Sequence, residues 1–252
     1  MITYHQDSNF INNVNSNIFH AFFKRNGGVS KNEFRSLNCG YIKGENRVNV
    51  IKNRILVCKT FSMPLSNLKL VNQVHSNKIV EITKDSPLST ADGMITEDKD
   101  LILGILTADC APIIFSGKVF YGILHVGWKG LLNNIIPSLV RILDKKKEPV
   151  SKVICSVGPH LIKKSFEVKE DFIKLLEVKK PQLSDSIFSC NSKLFFDFSK
   201  SLETELLING FKNFNILKID TFLNNNQFYS YRFSQQQQKS CGRQISIIGK
   251  YK

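Results

Sequence analysis

The sequence lacks long apolar runs, paired cysteines and a basic N-terminal segment, and each absence narrows the class of protein. No stretch approaches the roughly 18 consecutive apolar residues of a transmembrane helix, so we expect no membrane span. The first ten residues, MITYHQDSNF, lack the basic start and apolar core of a signal peptide, and we therefore expect a cytoplasmic protein. The 252 residues are 42% hydrophobic and 22% charged, which is typical of a globular protein with a substantial core.

The six cysteines are scattered along the chain, and none forms a CxxC pair. A chain of this length needs no disulfide framework, so a functional cysteine has to be identified from its surroundings. The sequence also lacks zinc-finger spacing, an RNP-type aromatic motif and a basic heptad helix. Because the net charge of +14 is dispersed, we expect no specific nucleic-acid binding. The sequence leaves the oligomeric state open.

Apolar periodicity predicts a chain in which strands and helices alternate. Short apolar runs predict strands at 18–23, 101–106, 112–115, 119–126, 153–157 and 215–219, with shorter extended runs at 68–74 and 79–82. Helical spacing predicts helices at 46–61, 131–147, 169–178 and 200–209. Pro137 should kink the second helix or lie at a local break in it, and the run Gln235–Gln238 predicts a polar loop. We predict an α/β or α+β fold in a single domain spanning residues 1–252.

The stretch LTADCAPIIF, residues 106–115, places a carboxylate and a thiol between two apolar runs. A cysteine in such a setting is most often a core thiol, but an unpaired buried carboxylate at Asp109 would be costly. His75 and His125 also lie at the ends of apolar runs, where a sheet holds functional groups rigidly, as it would Cys110. Two imidazoles and a thiolate suit catalytic zinc, which keeps a fourth position open, and they do not exclude copper.

The sequence pattern alone does not exclude purely structural roles for the two histidines. His125 can be a core histidine beside Gly127 and Trp128, and His75 a polar loop residue. The pair Asp92–Gly93 is typical of a plain turn.

Nine short motifs occur in a family-like order and spacing. They are RNGGVS (25–30), SLNCG (36–40), NQVHS (72–76), ADGMIT (91–96), TADCAPIIF (107–115), GILHVGWKG (122–130), GPH (158–160), FYSYR (228–232) and GRQ (242–244). Together they resemble the YfiH family, also known as DUF152, the laccase-domain or purine nucleoside phosphorylase family. The resemblance extends from about residue 19 to residue 248.

The resemblance implies one domain of stacked mixed β-sheets flanked by helices, a fold grouped with cysteine hydrolases. It implies zinc at the active site, bound by His75, Cys110 and His125. The implied activities are phosphorolysis of adenosine, inosine, guanosine and methylthioadenosine, with deamination of adenosine, so purine nucleosides and phosphate are the expected partners. Editing of peptidoglycan precursors by amino-acid removal and copper-dependent polyphenol oxidation are further activities associated with the family.

Five more residues are candidates for the site. Arg25 and Arg232 are expected to hold phosphate, because a guanidinium group matches its oxygens. Asn38 and Gln73 are expected to bind ribose or base edges. Asp109 is expected to orient a ligand or transfer a proton.

The chain departs from the family pattern outside the three expected ligands. His160 stands where the family commonly has cysteine, and Lys129 replaces an arginine, which removes the bidentate fork. Thr221 and Phe222 stand where a Cys-Thr pair often occurs. These differences bear on the substrate more than on the metal site.

A metal-free cysteine hydrolase is the main chemical alternative, with Cys110 as nucleophile and His125 or His75 as base. The HxE and PCxxC signature of zinc deaminases is absent, so deamination would need another acid or base. The five histidines are too few for a mononuclear copper together with a trinuclear cluster, although one copper remains an alternative to zinc.

Overall fold

The apolar runs of the sequence form β-strands that are linked by loops and helices. The computed structural model describes residues 1–14 and 17–251. The strands in this part of the chain are β1 Tyr4–His5, β2 Ile18–Phe23, β3 Leu68–Lys69, β4 Ile79–Glu81, β5 Gly93–Thr96, β6 Ile102–Thr107, β7 Ala111–Ser116, β8 Tyr121–Val126, β9 Ile154–Val157, β10 Glu167–Val168, β11 Ile187–Cys190, β12 Lys193–Phe196, β13 Asn213–Ile216 and β14 Gln244–Lys250.

The α-helices are mostly short, and polar side chains begin several of them. They are α1 Ser8–Asn13, α2 Arg47–Lys59, α3 Trp128–Leu132, α4 Ile135–Lys145, α5 Glu170–Lys179, α6 Phe198–Ile208 and α7 Tyr231–Gln236. The side chains of Asp7, Asn46, Asp197 and Ser230 each accept a backbone N–H of the following first turn. Within residues 1–14 and 17–251, no helix is long and apolar enough to cross a membrane.

The strands build two large sheets and a small one. The first sheet has the order β1-β2-β14-β6-β3, the second has the order β13-β9-β7-β8-β5-β4, and the third has the order β10-β12-β11. The two large sheets are mixed. The first contains the parallel pair β3 and β6, and the second contains the parallel pairs β4 with β5 and β13 with β9.

The two large sheets pack face to face, with helices on their outer sides. Phe22 of the first sheet and Met94 of the second belong to one buried cluster between them. Leu139 of α4 and Leu202 of α6 are buried against the outer face of the second sheet, and Val57 of α2 against that of the first. Each such side chain stabilises the fold by about 1.5–3 kcal/mol. The predicted class, stacked mixed sheets flanked by helices, is confirmed.

The predicted helix 131–147 is two helices, α3 and α4. The break lies at Asn133 and Asn134, where Asn134 has a left-handed φ of 68°. Of the two predicted alternatives, a kink or a local break, the structure therefore has a break, which lies just before Pro137. Pro137 occupies the first turn of α4, where a backbone N–H has no partner within the helix and none is lost.

The glutamine run is also not a loop throughout. Gln235 and Gln236 are the last residues of α7, which begins at the Ser230 cap, so the prediction of a polar loop over Gln235–Gln238 was wrong for its first half. The predicted extended run 68–74 is a strand only at Leu68–Lys69. The rest of that run leads into the loop that carries His75.

Candidate metal centre

Two adjacent strands and one loop bring His75, Cys110 and His125 together. His125 lies within β8, and Cys110 immediately precedes β7, in which Pro112 pairs with His125 across the antiparallel ladder. His75 lies in the loop between β3 and β4. The structure thus gathers all three predicted ligands at one end of the second sheet.

The ligand atoms of the three side chains are close enough to share an ion. One atom from each lies within 4.8 Å of the others. Sγ of Cys110 is 3.8 Å from Nε2 of His75, and the rings of His75 and His125 have centroids 4.8 Å apart. His125 is buried, Cys110 is partly exposed and His75 is exposed. The cluster is therefore accessible from the side of His75.

Gly127 is required by the close approach of the backbone to this cluster. A Cβ atom at Gly127 would lie 2.9 Å from Sγ of Cys110 and 3.0 Å from Cδ2 of His75. Both separations are tighter than a carbon in this position tolerates without movement of the neighbours. The glycine in the motif GILHVGWKG thus leaves room for two of the three ligands.

The backbone is left-handed at two positions beside the cluster. His75 has a φ of 60° and Asp109 a φ of 82°. Such conformations cost on the order of 1–3 kcal/mol for residues other than glycine, and they persist where surrounding bonds fix them. At Asp109 the backbone carbonyl accepts the N–H of Leu161 at 2.9 Å. The ligand loops are therefore fixed in conformations that isolated peptides rarely adopt.

Asp92 is fully buried and its carboxylate contacts both the His75 loop and the His125 ring. Its Oδ1 accepts from Nδ1 of His125 at 2.8 Å and from the N–H of His75 at 2.9 Å. Its Oδ2 accepts from the N–H of Ser76 at 2.6 Å, from Oγ of Ser76 at 2.7 Å and from the N–H of Val74 at 3.2 Å. Burial raises the pKa of Asp92, but the hydrogen bonds from His125 and Ser76 lower it to about 2.

Asp92 is not among the predicted site residues, because the pair Asp92–Gly93 is typical of a plain turn. Gly93 instead begins strand β5, all of which is buried. The available signal in the sequence is a carboxylate directly before the mostly apolar strand GMIT, comparable to Asp109 between its two apolar runs.

The cysteine and the buried histidine shift each other's ionisation. Burial raises the pKa of Cys110, but the charge of His125 and hydrogen bonds from His125 and His75 lower it to about 6. Burial lowers the pKa of His125, whereas Cys110 and Asp92 raise it to about 9. A thiolate beside an imidazolium is therefore favoured near neutral pH. The thiolate is the form of cysteine that binds metals and attacks electrophiles.

The cluster lies in the wall of a cavity of about 1030 Å³. Four cations also line it, and each of them lies over one of the aromatic rings of the lining. Arg54 is 4.5 Å from the ring centroid of Tyr41, Lys129 5.4 Å from Trp128, Arg232 5.8 Å from Phe166 and Arg243 5.8 Å from Tyr231. Such an arrangement suits a ligand that combines an anionic group with a flat ring.

Three of these cations, Arg54, Lys129 and Arg243, were not among the predicted site residues. Nε of Arg54 donates to the Cys39 carbonyl at 2.9 Å, and in the described part of the chain its two terminal nitrogens have no hydrogen bond. Nη1 of Arg243 donates to the Cys241 carbonyl at 2.7 Å. Arg243 lies in the quoted motif GRQ, whereas nothing in the sequence distinguishes Arg54 from other arginines on a helix.

Two predicted site residues, Asp109 and Arg232, line the cavity. They are hydrogen-bonded to each other. The Asp109 carboxylate accepts from Oγ1 of Thr221 at 2.7 Å and from the backbone N–H of Arg232 at 2.6 Å. Burial raises the pKa of this carboxyl in spite of the bonds from Arg232 and Thr221. Asp109 thus ties the Cys110 loop to the C-terminal segment. The carboxylate that contacts a ligand ring is that of Asp92.

The structure places the other three predicted substrate-binding residues differently. Arg25 donates to three backbone carbonyls and does not line the cavity. Asn38 is fully buried, and its amide bonds the backbone of Gly40. Gln73 does line the cavity, but its amide exchanges two hydrogen bonds of 2.8 Å with the backbone of Leu106. The polar atoms of these three side chains are thus bonded within the protein, and their role in binding phosphate, ribose or base stays a prediction.

His160, the residue that replaces the family's usual cysteine, has a closed environment. It is fully buried, with Nδ1 bonded to the Gly158 carbonyl at 2.8 Å and Nε2 bonded to Oγ of Ser199 at 2.9 Å. Burial lowers its pKa. The residue supports the wall behind Leu161 and Phe198, which line the cavity, and is not itself part of the lining.

Known proteins resemble this chain in sequence and in fold. A protein of Rickettsia conorii named a purine nucleoside phosphorylase is 28% identical over 92% of this chain and 95% of its own length. A protein from an unknown prokaryotic organism named an adenosine deaminase is 23% identical over 66% of this chain and 69% of its own. A crystal structure of a Neisseria meningitidis DUF152 protein has a TM-score of 0.86, with 24% identity over 100% of this chain and 99% of the other.

The family model described as multi-copper polyphenol oxidoreductase laccase matches residues 19–250. This match covers nearly the whole chain, and it includes the segments that carry His75, Cys110 and His125. The chain therefore belongs to this laccase-domain family, the DUF152 or YfiH family.

Proposed function

We propose that this chain is a zinc-dependent purine nucleoside phosphorylase. The observation that carries the proposal is the convergence of His75, Cys110 and His125, with ligand atoms within 4.8 Å of one another in the wall of the cavity. Relatives named purine nucleoside phosphorylase support the substrate class. The finer specificity for adenosine, inosine, guanosine or methylthioadenosine is part of the proposal, as is adenosine deamination, which one relative's name supports.

The donor set fits zinc. Two ligands of a tetrahedral zinc, one sulfur and one nitrogen, lie about 3.6 Å apart. The observed 3.8 Å between Sγ of Cys110 and Nε2 of His75 is close to that value. A thiolate does not suit magnesium or calcium, which prefer oxygen ligands, and copper is the alternative that the same atoms accept. When bound, zinc supplies a Lewis acid that polarises an oxygen or lowers the pKa of a bound water.

The cations of the cavity would hold the phosphate. Arg54 has two terminal nitrogens without a hydrogen bond among the described residues, so it can offer a planar pair of donors to phosphate oxygens. Among the described residues, the guanidinium of Arg232 donates only through Nη1, to the Glu167 carbonyl at 3.0 Å. Arg243 adds a third guanidinium to the lining. These three groups would screen the charge of phosphate as one of its oxygens approaches the ribose.

The aromatic rings would bind the purine. Tyr41, Trp128, Phe166 and Tyr231 line the cavity and present flat surfaces against which a base can stack. In phosphorolysis, a phosphate oxygen forms a bond to ribose C1′ while the bond from C1′ to the purine nitrogen breaks. The purine departs with that electron pair and gains a proton. Stacking and cationic contacts would orient both reactants in line for this displacement.

A metal-free cysteine hydrolase is the second candidate, and the same site supports it. Asp92 bonds Nδ1 of His125, and His125 hydrogen-bonds Cys110, so the three form the order of acid, base and nucleophile used by cysteine hydrolases. Amino-acid removal from a peptidoglycan precursor would suit this chemistry. A polyphenol oxidase with one copper at the same ligands is a further alternative.

The deciding experiment combines metal analysis with turnover. We expect one zinc per chain in protein purified without added metal, and release of adenine and ribose 1-phosphate from adenosine and phosphate. Cys110→Ala should lose both properties. Cys155→Ala is the matched control, because Cys155 is a buried core thiol on β9. Full activity in the presence of a chelator would favour the metal-free hydrolase, and zinc without any nucleoside turnover would redirect the search to cell-wall precursors.

A further inference from the structure

Asp92 is a single buried carboxylate that touches the segments of two candidate ligands at once. Three consecutive residues, Val74, His75 and Ser76, point their backbone N–H groups at it, at 3.2, 2.9 and 2.6 Å. Successive N–H groups that converge in this way form an anion-binding concavity in many proteins. Here the anion is a side chain of the same protein, and the left-handed His75, with its φ of 60°, is the central residue of the concavity.

The same carboxylate fixes the ring of the second histidine. Nδ1 of His125 lies 2.8 Å from Oδ1 of Asp92, and the backbone N–H of His125 donates to the Asp92 carbonyl at 2.7 Å. An ionised carboxylate only accepts, so Nδ1 must carry the proton. Nε2, the nitrogen on the side of Cys110, then keeps its lone pair when the ring is neutral.

We propose that Asp92 is the positioning residue of the metal centre: it holds the His75 loop in its left-handed conformation and fixes His125 as the tautomer with a free Nε2. This inference rests on the proposed zinc site and goes beyond it, because it assigns to one carboxylate the geometry of two ligands. Asp92 is not itself part of the cavity lining. It acts through the histidines.

The substitution Asp92→Asn isolates this role, because the amide keeps the shape of the carboxylate but carries two N–H groups. If they replace Oδ2, they face the backbone N–H groups of Val74 and Ser76, which cannot reverse. If they replace Oδ1, they face the N–H of His75 and the ring of His125, which can move its proton. The second orientation is less costly, and it transfers the His125 proton from Nδ1 to Nε2.

We therefore expect Asp92→Asn to bind zinc about 10- to 100-fold more weakly, the range found when an outer carboxylate of a zinc site is removed. Zinc affinity is measured in the full-length chain by competition with a chromophoric chelator. Ser76→Ala removes one bond to the same carboxylate and leaves its charge and its contact with His125, so it should bind zinc within about twofold of the wild type. Asp220→Asn removes the charge of another buried aspartate, so it controls for any effect on zinc affinity that comes from losing a buried carboxylate in general.

A second measurement, NMR of the His125 ring, tests the inference in the wild type as well as in the variant. In the wild-type chain, NMR should show a slowly exchanging proton on Nδ1 of His125, in the presence and absence of zinc, and that proton should be missing in Asp92→Asn. A wild-type His125 without the Nδ1 proton would overturn the inference even if Asp92→Asn does not fold. So would a folded Asp92→Asn with wild-type zinc affinity. A wild type that binds no zinc at all would instead count against the proposed function, and the NMR result would still decide the role of Asp92.

Discussion

One histidine in each large sheet is almost completely buried, and burial leads to opposite ionisation in the two places. His125 in β8 is 3% exposed and His20 in β2 is 0% exposed. Burial lowers the pKa of both. For His125, however, Cys110 and Asp92 reverse the effect and raise the pKa to about 9. For His20 the charge of Asp7 opposes burial only weakly, and the pKa falls to about 4.

The difference lies in what each ring nitrogen contacts. Nε2 of His20 accepts the backbone N–H of Asp7 at 2.8 Å, whereas Nδ1 of His20 is buried and has no hydrogen-bond partner among the described residues. His125 has a carboxylate on one nitrogen and a thiol on the other. A buried histidine thus becomes a core residue or a functional residue according to its partners, which residue type and apolar context alone do not specify.

The largest effect should come from matched amide substitutions of these two histidines. Asn places a donor where Nδ1 stood, so His125→Asn keeps the contact with Asp92 and removes the metal-binding nitrogen. A full set of zinc ligands contributes about 10–16 kcal/mol in total, so loss of one should weaken zinc binding by roughly two to three orders of magnitude. Phosphorolysis of adenosine should fall with it.

Gln places an acceptor near the position of Nε2, so His20→Gln keeps the hydrogen bond from Asp7 and serves as the control. We expect it to bind zinc and to turn over adenosine like the wild type. Chelator competition and release of adenine measure both quantities. Equal zinc affinity for His125→Asn and the wild type would show that His125 is not a ligand, and the comparison of the two histidines would then lose its functional meaning.

A smaller effect, on the KM for phosphate, should distinguish Arg54 from Arg25. In the described part of the chain, the terminal nitrogens of Arg54 have no hydrogen bond in the wall of the cavity, whereas Arg25 gives its donors to backbone carbonyls outside it. A charge-assisted hydrogen bond contributes about 1.5–3 kcal/mol, so Arg54→Gln should raise the KM for phosphate roughly ten- to hundredfold. The KM for adenosine should change much less.

Arg25→Gln should leave the KM for phosphate unchanged and should lower the free energy of unfolding by about 1–3 kcal/mol, because carbonyls lose their partners. Steady-state kinetics and urea unfolding of the two variants measure these effects. A raised KM for phosphate in Arg25→Gln, with no change in Arg54→Gln, would restore the role that the sequence predicted for Arg25.

The sequence predicted the fold well because strand burial leaves a strong local signal. The strand Ile18–Phe23 matches its prediction to the residue, and the strands around Cys110 differ from theirs by one or two residues at an end. The failures involve features that apolar periodicity does not reveal. The predicted helix 131–147 is divided before Pro137, where Asn134 adopts a left-handed conformation between α3 and α4.

For the site, the sequence identified the three side chains that meet but not the residues that hold them. His75, Cys110 and His125 each follow or end an apolar run, and that pattern is visible in the chain. Asp92 was missed because its five hydrogen bonds come from a loop and a strand distant in sequence. Arg25 was selected by residue type, although its donors are used by neighbouring backbone.

The smallest expected effect is the pH dependence of stability that His20 contributes. Its pKa is about 4 in the folded chain, against about 6.5 in an unfolded one. The unfolded state therefore takes up a proton that the folded state resists, and the contribution of neutral His20 to stability is complete above about pH 6.5 and is lost as the pH falls towards 4. Lowering the pH from 7.5 to 5.5 should cost about 1 kcal/mol through this residue.

The difference between the wild type and His20→Gln isolates that contribution, because the carboxylates titrate in both proteins. Urea unfolding at pH 7.5 and pH 5.5 should show a loss in the wild type that is larger by about 1 kcal/mol than the loss in His20→Gln. Equal losses would mean that His20 acquires a proton in the folded state, for instance through its unpartnered Nδ1. In that case the hydrogen-bond partners of His125 would not explain why the pKa values of His125 and His20 differ. The Nδ1 proton of His125 would then be the remaining test of its contact with Asp92.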